Sequence, residues 1–292
     1  MNKRILALLA VFSTAVFYGI TYSVAKDVMP MYTTPFALVW IRIAAATVLI
    51  WGSSWVVKAP KMELKDFPYV AGLSVIAIVV NILSFFKGLS LTTPINASVI
   101  MVTTPILVFI FSIFLLKERI QWTKALGIIM GLLGAYFLTV TGKLNTVSAK
   151  NIPLGNLLVF VNAMGYGLYL IFAKKMIDKY HPLTFIKWLY TFGILIMTPF
   201  VYKEVLLVDW VHMPMKIYFS IAYIVVFATY LNFLFNMYGL KYLKPTTVSA
   251  FIYTQPVLAG MFALFWGTDT LSWLKVFCTI VIFVGVYLVG KK

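Results

Sequence analysis

The chain repeats itself, and the copies are apolar. Residues 81–139 align with residues 232–290 at a constant offset of 151. Asn81 pairs with Asn232, Gly88 with Gly239, Pro94 with Pro245, Ser98 with Ser249 and Pro105 with Pro256. Trp122, Lys124, Gly134 and Tyr136 pair with Trp273, Lys275, Gly285 and Tyr287. Upstream the offset is 148: Tyr18-Gly19 pairs with Tyr166-Gly167, Lys26 with Lys174 and Trp40 with Trp188. A three-residue insertion between the two regions accounts for the change. Two related halves in an apolar chain predict a symmetric helical assembly with a site where the halves meet.

The chain is 62% hydrophobic and 11% charged, outside the range of soluble globular domains. Ten apolar runs recur, at about 5–25, 36–57, 68–88, 95–116, 124–141, 153–173, 183–202, 215–238, 246–266 and 272–290. About 20 residues of helix cross a bilayer core of about 30 Å. The expected fold is therefore all-α and integral to the membrane. The first run, behind Lys3 and Arg4, is read as a retained span rather than a signal peptide, because its repeat partner is internal. Short linkers leave no room for a soluble domain. No GxxxxGK[ST] loop is present, so ATP is not the expected energy source.

The net charge of +16 distributes by side of the membrane, which disfavours nucleic acid as a partner. With the N-terminus inside, inside segments carry fifteen Lys and Arg, and outside segments and helix ends carry seven. Both termini are expected in the cytoplasm. Equivalent loops of the two halves face opposite sides, as an odd number of spans per half requires. The halves, 1–143 and 150–292, are expected to form a 5+5 inverted repeat of ten transmembrane helices around a central cavity.

All eight acids lie in loops or at span ends, so no buried carboxylate is available to relay protons or to anchor a cation. Two cations do lie within spans, Arg42 and Lys187. They either draw an anion or carboxylate into the cavity, or snorkel to the nearby span ends. Lys26, Lys87 and Lys174 sit at membrane edges, where snorkelling is the simpler reading. The single cysteine, Cys278, and two loop histidines, His181 and His212, give no disulfide framework or metal cluster. Neither a metal nor a cofactor is expected, and no catalytic constellation suggests an enzyme.

Polar residues recur at helical spacing on spans one, three, four, six, eight and nine. The first carries Thr14, Tyr18 and Thr21, the sixth Asn162, Tyr166 and Tyr169. The third carries Asn81, the eighth Thr229, Asn232 and Asn236. The fourth carries Asn96 and Ser98, the ninth Ser249, Tyr253 and Gln255. Each amide alone reads equally as interhelical glue. Together they predict a cavity in which Tyr18, Asn81, Asn96, Ser98, Asn162, Tyr166, Tyr169, Asn232, Asn236, Tyr253, Gln255, Arg42 and Lys187 are the candidate substrate contacts. Pro105 and Pro256 stand mid-span at equivalent places and are the candidate hinges, as kinks in their helices. Spans five and ten are nearly all apolar with small residues (Gly127, Gly131, Gly134, Gly285). They are expected as outer supports whose small-residue faces suit a homodimer, although the ten-span unit is complete as a monomer.

The Tyr18-Gly19 pair, the Trp40-x-Arg42 segment, and residues 88–118 with their copy at 239–269 resemble the drug/metabolite transporters of the EamA type. The resemblance covers nearly the whole chain. Glu118 and Asp269 match the acid that closes spans four and nine, although Thr268-Asp269 stands where Lys-Glu is commoner. The resemblance implies a 5+5 inverted repeat and carriage of small-molecule metabolites across a bacterial inner membrane, often as amino-acid export. Multidrug cation export, the main rival, is disfavoured by the missing intramembrane acid. A receptor lacks loop surface for partners, and a channel lacks rings of charged residues.

Overall fold

The computed structural model describes residues 2–140, 151–255, 257–258, 261 and 273–290. It is all helical. Seven described helices are long and apolar enough to cross a bilayer: Lys3–Val28, Pro35–Val56, Leu64–Leu91, Val99–Leu116, Ile152–Lys179, Pro182–Leu206 and Met215–Tyr242. They are spans one, two, three, four, six, seven and eight. Span five, Trp122–Val140, and span ten, Trp273–Gly290, are apolar helices of similar kind. Span nine opens with Pro245–Ala250 and the 3₁₀ turn Phe251–Thr254, and much of its remainder lies outside the described residues. The chain is a multi-pass membrane protein.

Caps follow the sequence. Thr34 Oγ1 accepts from the Ala37 amide at 3.1 Å and Asn151 Oδ1 from Leu154 at 3.2 Å. Each precedes a helix with proline in its first turn, where the missing N–H costs nothing.

Packing exchanges the halves. Span one packs on span eight, and its repeat partner, span six, packs on span three. Spans two and seven, four and nine, and five and ten pack on their own partners, so they face each other across the axis. Single contacts repeat the rule. Val159 lies against Gly88, and Val11 against Gly239. Those residues are related by the offsets 148 and 151. Gly127 and Gly285 touch so closely that a Cβ on either would lie 2.6 Å from the other's carbonyl oxygen. The symmetry mate of that contact is Gly134 against Cys278, where a Cβ would lie 3.0 Å from the Cys278 oxygen. The glycine faces of spans five and ten are therefore spent on each other. They are not open to a second copy, which corrects the expected use of these faces for dimerisation.

Among the described residues, the ion pairs at the rims join loops assigned to one side. Lys179 pairs with Glu63 at 3.2 Å and Asp66 at 2.5 Å, and Lys244 meets Glu118 at 3.5 Å. Arg4 donates to the Gly290 carbonyl at 2.5 Å, which brings the start of span one and the end of span ten to that same rim. On the opposite rim Lys216 pairs with Asp27 at 2.8 Å and Thr34 bonds Glu204. Lys26 donates to the Thr92 carbonyl at 3.1 Å, at the C-terminus of span three. Its mate Lys174 donates to the Leu240 carbonyl at 3.0 Å, near the end of span eight. Each ammonium thereby answers the unpaired carbonyls of a helix end.

Two further breaks are symmetric. Span three widens to a π-helix over Val75–Val80 and span eight over Val226–Leu231, related by the offset of 151. Each ends immediately before its asparagine, Asn81 or Asn232. Span four is broken rather than kinked. Helix Pro94–Met101 ends, Val102 and Thr103 make a turn, and Thr104–Leu116 restarts with Pro105 in its first turn. Proline lacks the donor that would continue the ladder, so it starts a helix more readily than it bends one. The ninth span likewise tightens to 3₁₀ just before Pro256, which itself lies outside the described residues.

Candidate functional site

The six spans with polar faces line a narrow cavity. Its walls come in repeat-related pairs. Thr14 and Asn162 line it, as do Tyr18 and Tyr166, Phe85 and Asn236, and Met101 and Ile252. The cavity therefore lies on the pseudo-two-fold axis, where an inverted repeat exposes the same wall to either side in turn.

The pairs also show where symmetry fails. On the eighth and ninth spans Asn236 and Gln255 face the cavity, beside Tyr166 of the sixth. Across from them the third span presents Ile82, Phe85 and Phe86, and the fourth Met101. The third span also brings Asn81, and the ninth Val248, Phe251 and Ile252, so each half offers polar and apolar groups together.

The polar side chains are held in place by one another. Asn81 Nδ2 donates to the Asn162 carbonyl at 3.0 Å, and Asn162 Nδ2 donates back to the Asn81 carbonyl at 2.9 Å. This clasp fixes span three to span six and leaves Asn162 Oδ1 buried without a partner. Tyr166 donates to Asn236 Oδ1 at 3.2 Å, and Asn236 Nδ2 donates to the carbonyl and side-chain oxygens of Asn232, both at 3.1 Å. Tyr18 meets Phe85 edge to face, with ring centroids 6.3 Å apart.

Of the candidates, Tyr18, Asn81, Asn162, Tyr166, Asn236 and Gln255 come together at the cavity. Asn232 stands one bond behind Asn236. Tyr169 donates to Met237 Sδ at 3.3 Å and packs on Phe233, behind the wall. Tyr253 packs against Gly131 of span five. Asn96 is drawn to the start of span four, where its amide N–H bonds Thr93 Oγ1 at 3.1 Å and its side chain reaches Thr92. The Ser98 side chain lies outside the described residues. Lys187 rests over the indole of Trp51, 4.6 Å from the ring centre, away from the cavity.

Arg42 does not snorkel. It is 0% exposed. Its Nε donates to Thr229 Oγ1 at 2.7 Å and its Nη2 to the Ala228 carbonyl at 3.0 Å, both within the π-helix of span eight. Thr229 passes the bond on to the Ile224 carbonyl at 2.6 Å. Its guanidinium lies over Phe86, 4.8 Å from the ring centre. The π-turn holds its carbonyls out of the α ladder, and the arginine answers them.

The apolar residues of the cavity escaped the polar-stripe argument. A usable signal was present: shifting Asn236 back by 151 lands on Phe85, and shifting Ile252 back lands on Met101.

These observations define a class, a helical membrane transporter with a cavity on the axis between two inverted halves. The EamA-like transporter family model matches residues 5–140 and again residues 153–291, and the chain belongs to that family. A protein of Archaeoglobus fulgidus named "uncharacterized transporter" is 25% identical over 279 residues, covering 96% of both chains. The "uncharacterized transporter YyaM" of Bacillus subtilis is 24% identical over 261 residues, covering 87% of this chain and 84% of its own. A solved crystal structure superposes with a TM-score of 0.77 at 17% identity, covering 97% of this chain and 95% of the other, which establishes the shared fold.

Proposed function

We propose that this transporter is a secondary carrier of small polar metabolites, and above all of amino acids moving outward across a bacterial inner membrane, with both termini cytoplasmic. The observation that carries the reading is the cavity on the pseudo-symmetry axis, lined by polar and apolar groups together. An amino acid has a polar head and a side chain that is often apolar. The amide and phenol groups of Asn162, Tyr166, Asn236 and Gln255 suit its polar groups, while Phe85, Met101, Phe251 and Ile252 suit the side chain. Alternating access follows from the fold: rocking one half against the other moves the opening between the sides and leaves the site in place. Pro105 and Pro256 are the proposed hinges. The helix already breaks at the first of them, so little ladder has to be undone there.

The chain's acids stand at span ends and in loops, so the carrier is expected to work by exchange or facilitated diffusion. Multidrug cation export fits poorly beside a buried arginine. The test is efflux from proteoliposomes loaded with labelled amino acids, nucleosides and carboxylates, with and without a pH gradient. Saturable amino-acid efflux independent of the gradient is the expected result. Absence of flux for every compound, from protein shown to be folded, refutes the reading.

A further inference from the structure

Two buried donors near the cavity have nothing to bond. Arg42 Nη1 and the Tyr190 hydroxyl are both enclosed and unpartnered, and both residues are 0% exposed. Shifting Arg42 by 148 lands on Tyr190, so the two are symmetry mates on spans two and seven, which face each other across the axis. Spans two and seven pack directly on one another. Phe86 completes the connection, since it lines the cavity and carries the Arg42 guanidinium over its ring.

The charge is uncompensated as well. Arginine keeps its proton in proteins. Among the described residues no acid pairs with Arg42, and the seven described acids lie in loops or at helix ends. Thr229 and Ala228 supply neutral oxygens only. A lone guanidinium at membrane depth is costly, and an arriving anion would remove that cost.

We propose that Arg42 and Tyr190 form a carboxylate subsite behind Phe86, and that this carrier selects substrates by their carboxylate. The proposal rests on the carrier reading and sharpens it. Arg42 Nη1 and the Tyr190 hydroxyl donate to the two carboxylate oxygens once the Phe86 ring turns aside. The substrate's charge then travels with it, and the empty carrier is left with the unpaired cation. A matched carboxamide has no charge to offer and is rejected.

Tyr190→Phe is the sharpest variant, because it removes only a hydroxyl that bonds nothing in the empty protein. A structural role predicts unchanged or slightly raised stability. Arg42→Lys and Arg42→Gln accompany it. Purified full-length protein is titrated with leucine against leucinamide, and with benzoate against benzamide, reading the shift in thermal unfolding midpoint. The same pairs then compete in the efflux assay. Wild type is expected to prefer each carboxylate by about tenfold or more, the range of a hydrogen bond to a charged group. Tyr190→Phe is expected to lose about tenfold of that affinity at unchanged intrinsic stability, and Arg42→Gln to abolish the preference. Equal binding of acid and amide by wild type overturns the subsite, as does a preference that survives Tyr190→Phe undiminished. Carboxylate binding without flux would instead refute the carrier reading and leave the subsite standing. Flux without carboxylate preference does the reverse.

Discussion

At the scale of single residues, the reciprocal bonds between Asn81 and Asn162 hold spans three and six together without charge. Buried amides in a membrane have to find partners, and each bond contributes about 1 kcal/mol. Asn81→Ala and Asn162→Ala are each expected to cost about 1–2 kcal/mol. The double variant is expected to cost about the sum of the two, because each side chain donates to the other residue's backbone carbonyl, which alanine keeps. Chemical unfolding in detergent micelles, analysed as a double-mutant cycle, measures this; a coupling of about 1 kcal/mol or more contradicts it. His181 supplies a pH-dependent counterpart. Its Nδ1 accepts from the Leu183 amide at 3.3 Å and so caps span seven. Burial holds its imidazole below the ordinary value near 6.5, and the Lys241 ammonium adds to the effect. The unfolded chain therefore binds the proton more readily than the folded one. The contribution is full above about pH 6.5 and is lost as pH falls below it, through the depressed folded value. His181→Asn, which caps without titrating, is expected to flatten that part of the pH–stability profile.

At the scale of elements, spans five and ten approach through glycine. A Cβ at Gly285 would meet the Gly127 carbonyl oxygen at 2.6 Å and the Gly131 nitrogen at 2.8 Å, both backbone atoms that cannot swing away. Gly285→Ala is expected to push the two helices apart and lower stability by about 1–3 kcal/mol, read from thermal unfolding. Pro105→Leu restores a donor at the break in span four and is expected to lengthen the helix through Thr104. Flux should slow while membrane insertion persists, and unchanged flux would remove Pro105 from the hinge. Elements were unequally legible in the sequence. Span positions, the repeat and the polar stripes follow from hydropathy and spacing, since lipid leaves the backbone few alternatives to helix. The two π-helices do not follow. Val75–Val80 and Val226–Leu231 have unlike compositions, VIAIVV and VFATYL, and one widened turn leaves the apolar pattern intact. The burial of Arg42 was hidden for the same reason, because its partners are a carbonyl and a threonine that the widened turn presents. Half the cavity wall was hidden too, since Phe85 and Phe86 read as ordinary lipid-facing or core aromatics until the repeat is used to locate them.

At the scale of the whole molecule, the inverted repeat places six spans around one cavity, and the described residues of spans two, five, seven and ten are absent from its lining. Among the described residues the ion pairs join loops of one rim, and Arg4 and Gly290 meet at the same rim. Reporter fusions at the N- and C-terminus are expected to lie on the same side, the cytoplasmic one that the basic residues select; opposite sides would contradict the five-span half. The central claim is that the cavity on the axis is where the transported molecule sits. Ala15 lines that cavity and is nearly fully buried, whereas Phe160 stands at the outer surface of span six. Counterflow of labelled amino acid into proteoliposomes measures the claim most directly, comparing wild type with Ala15→Trp and Phe160→Trp, each shown to be folded and monodisperse. The account predicts uptake by wild type and Phe160→Trp, and loss of uptake when tryptophan fills the cavity. Equal uptake by all three would place the transport path elsewhere and contradict it.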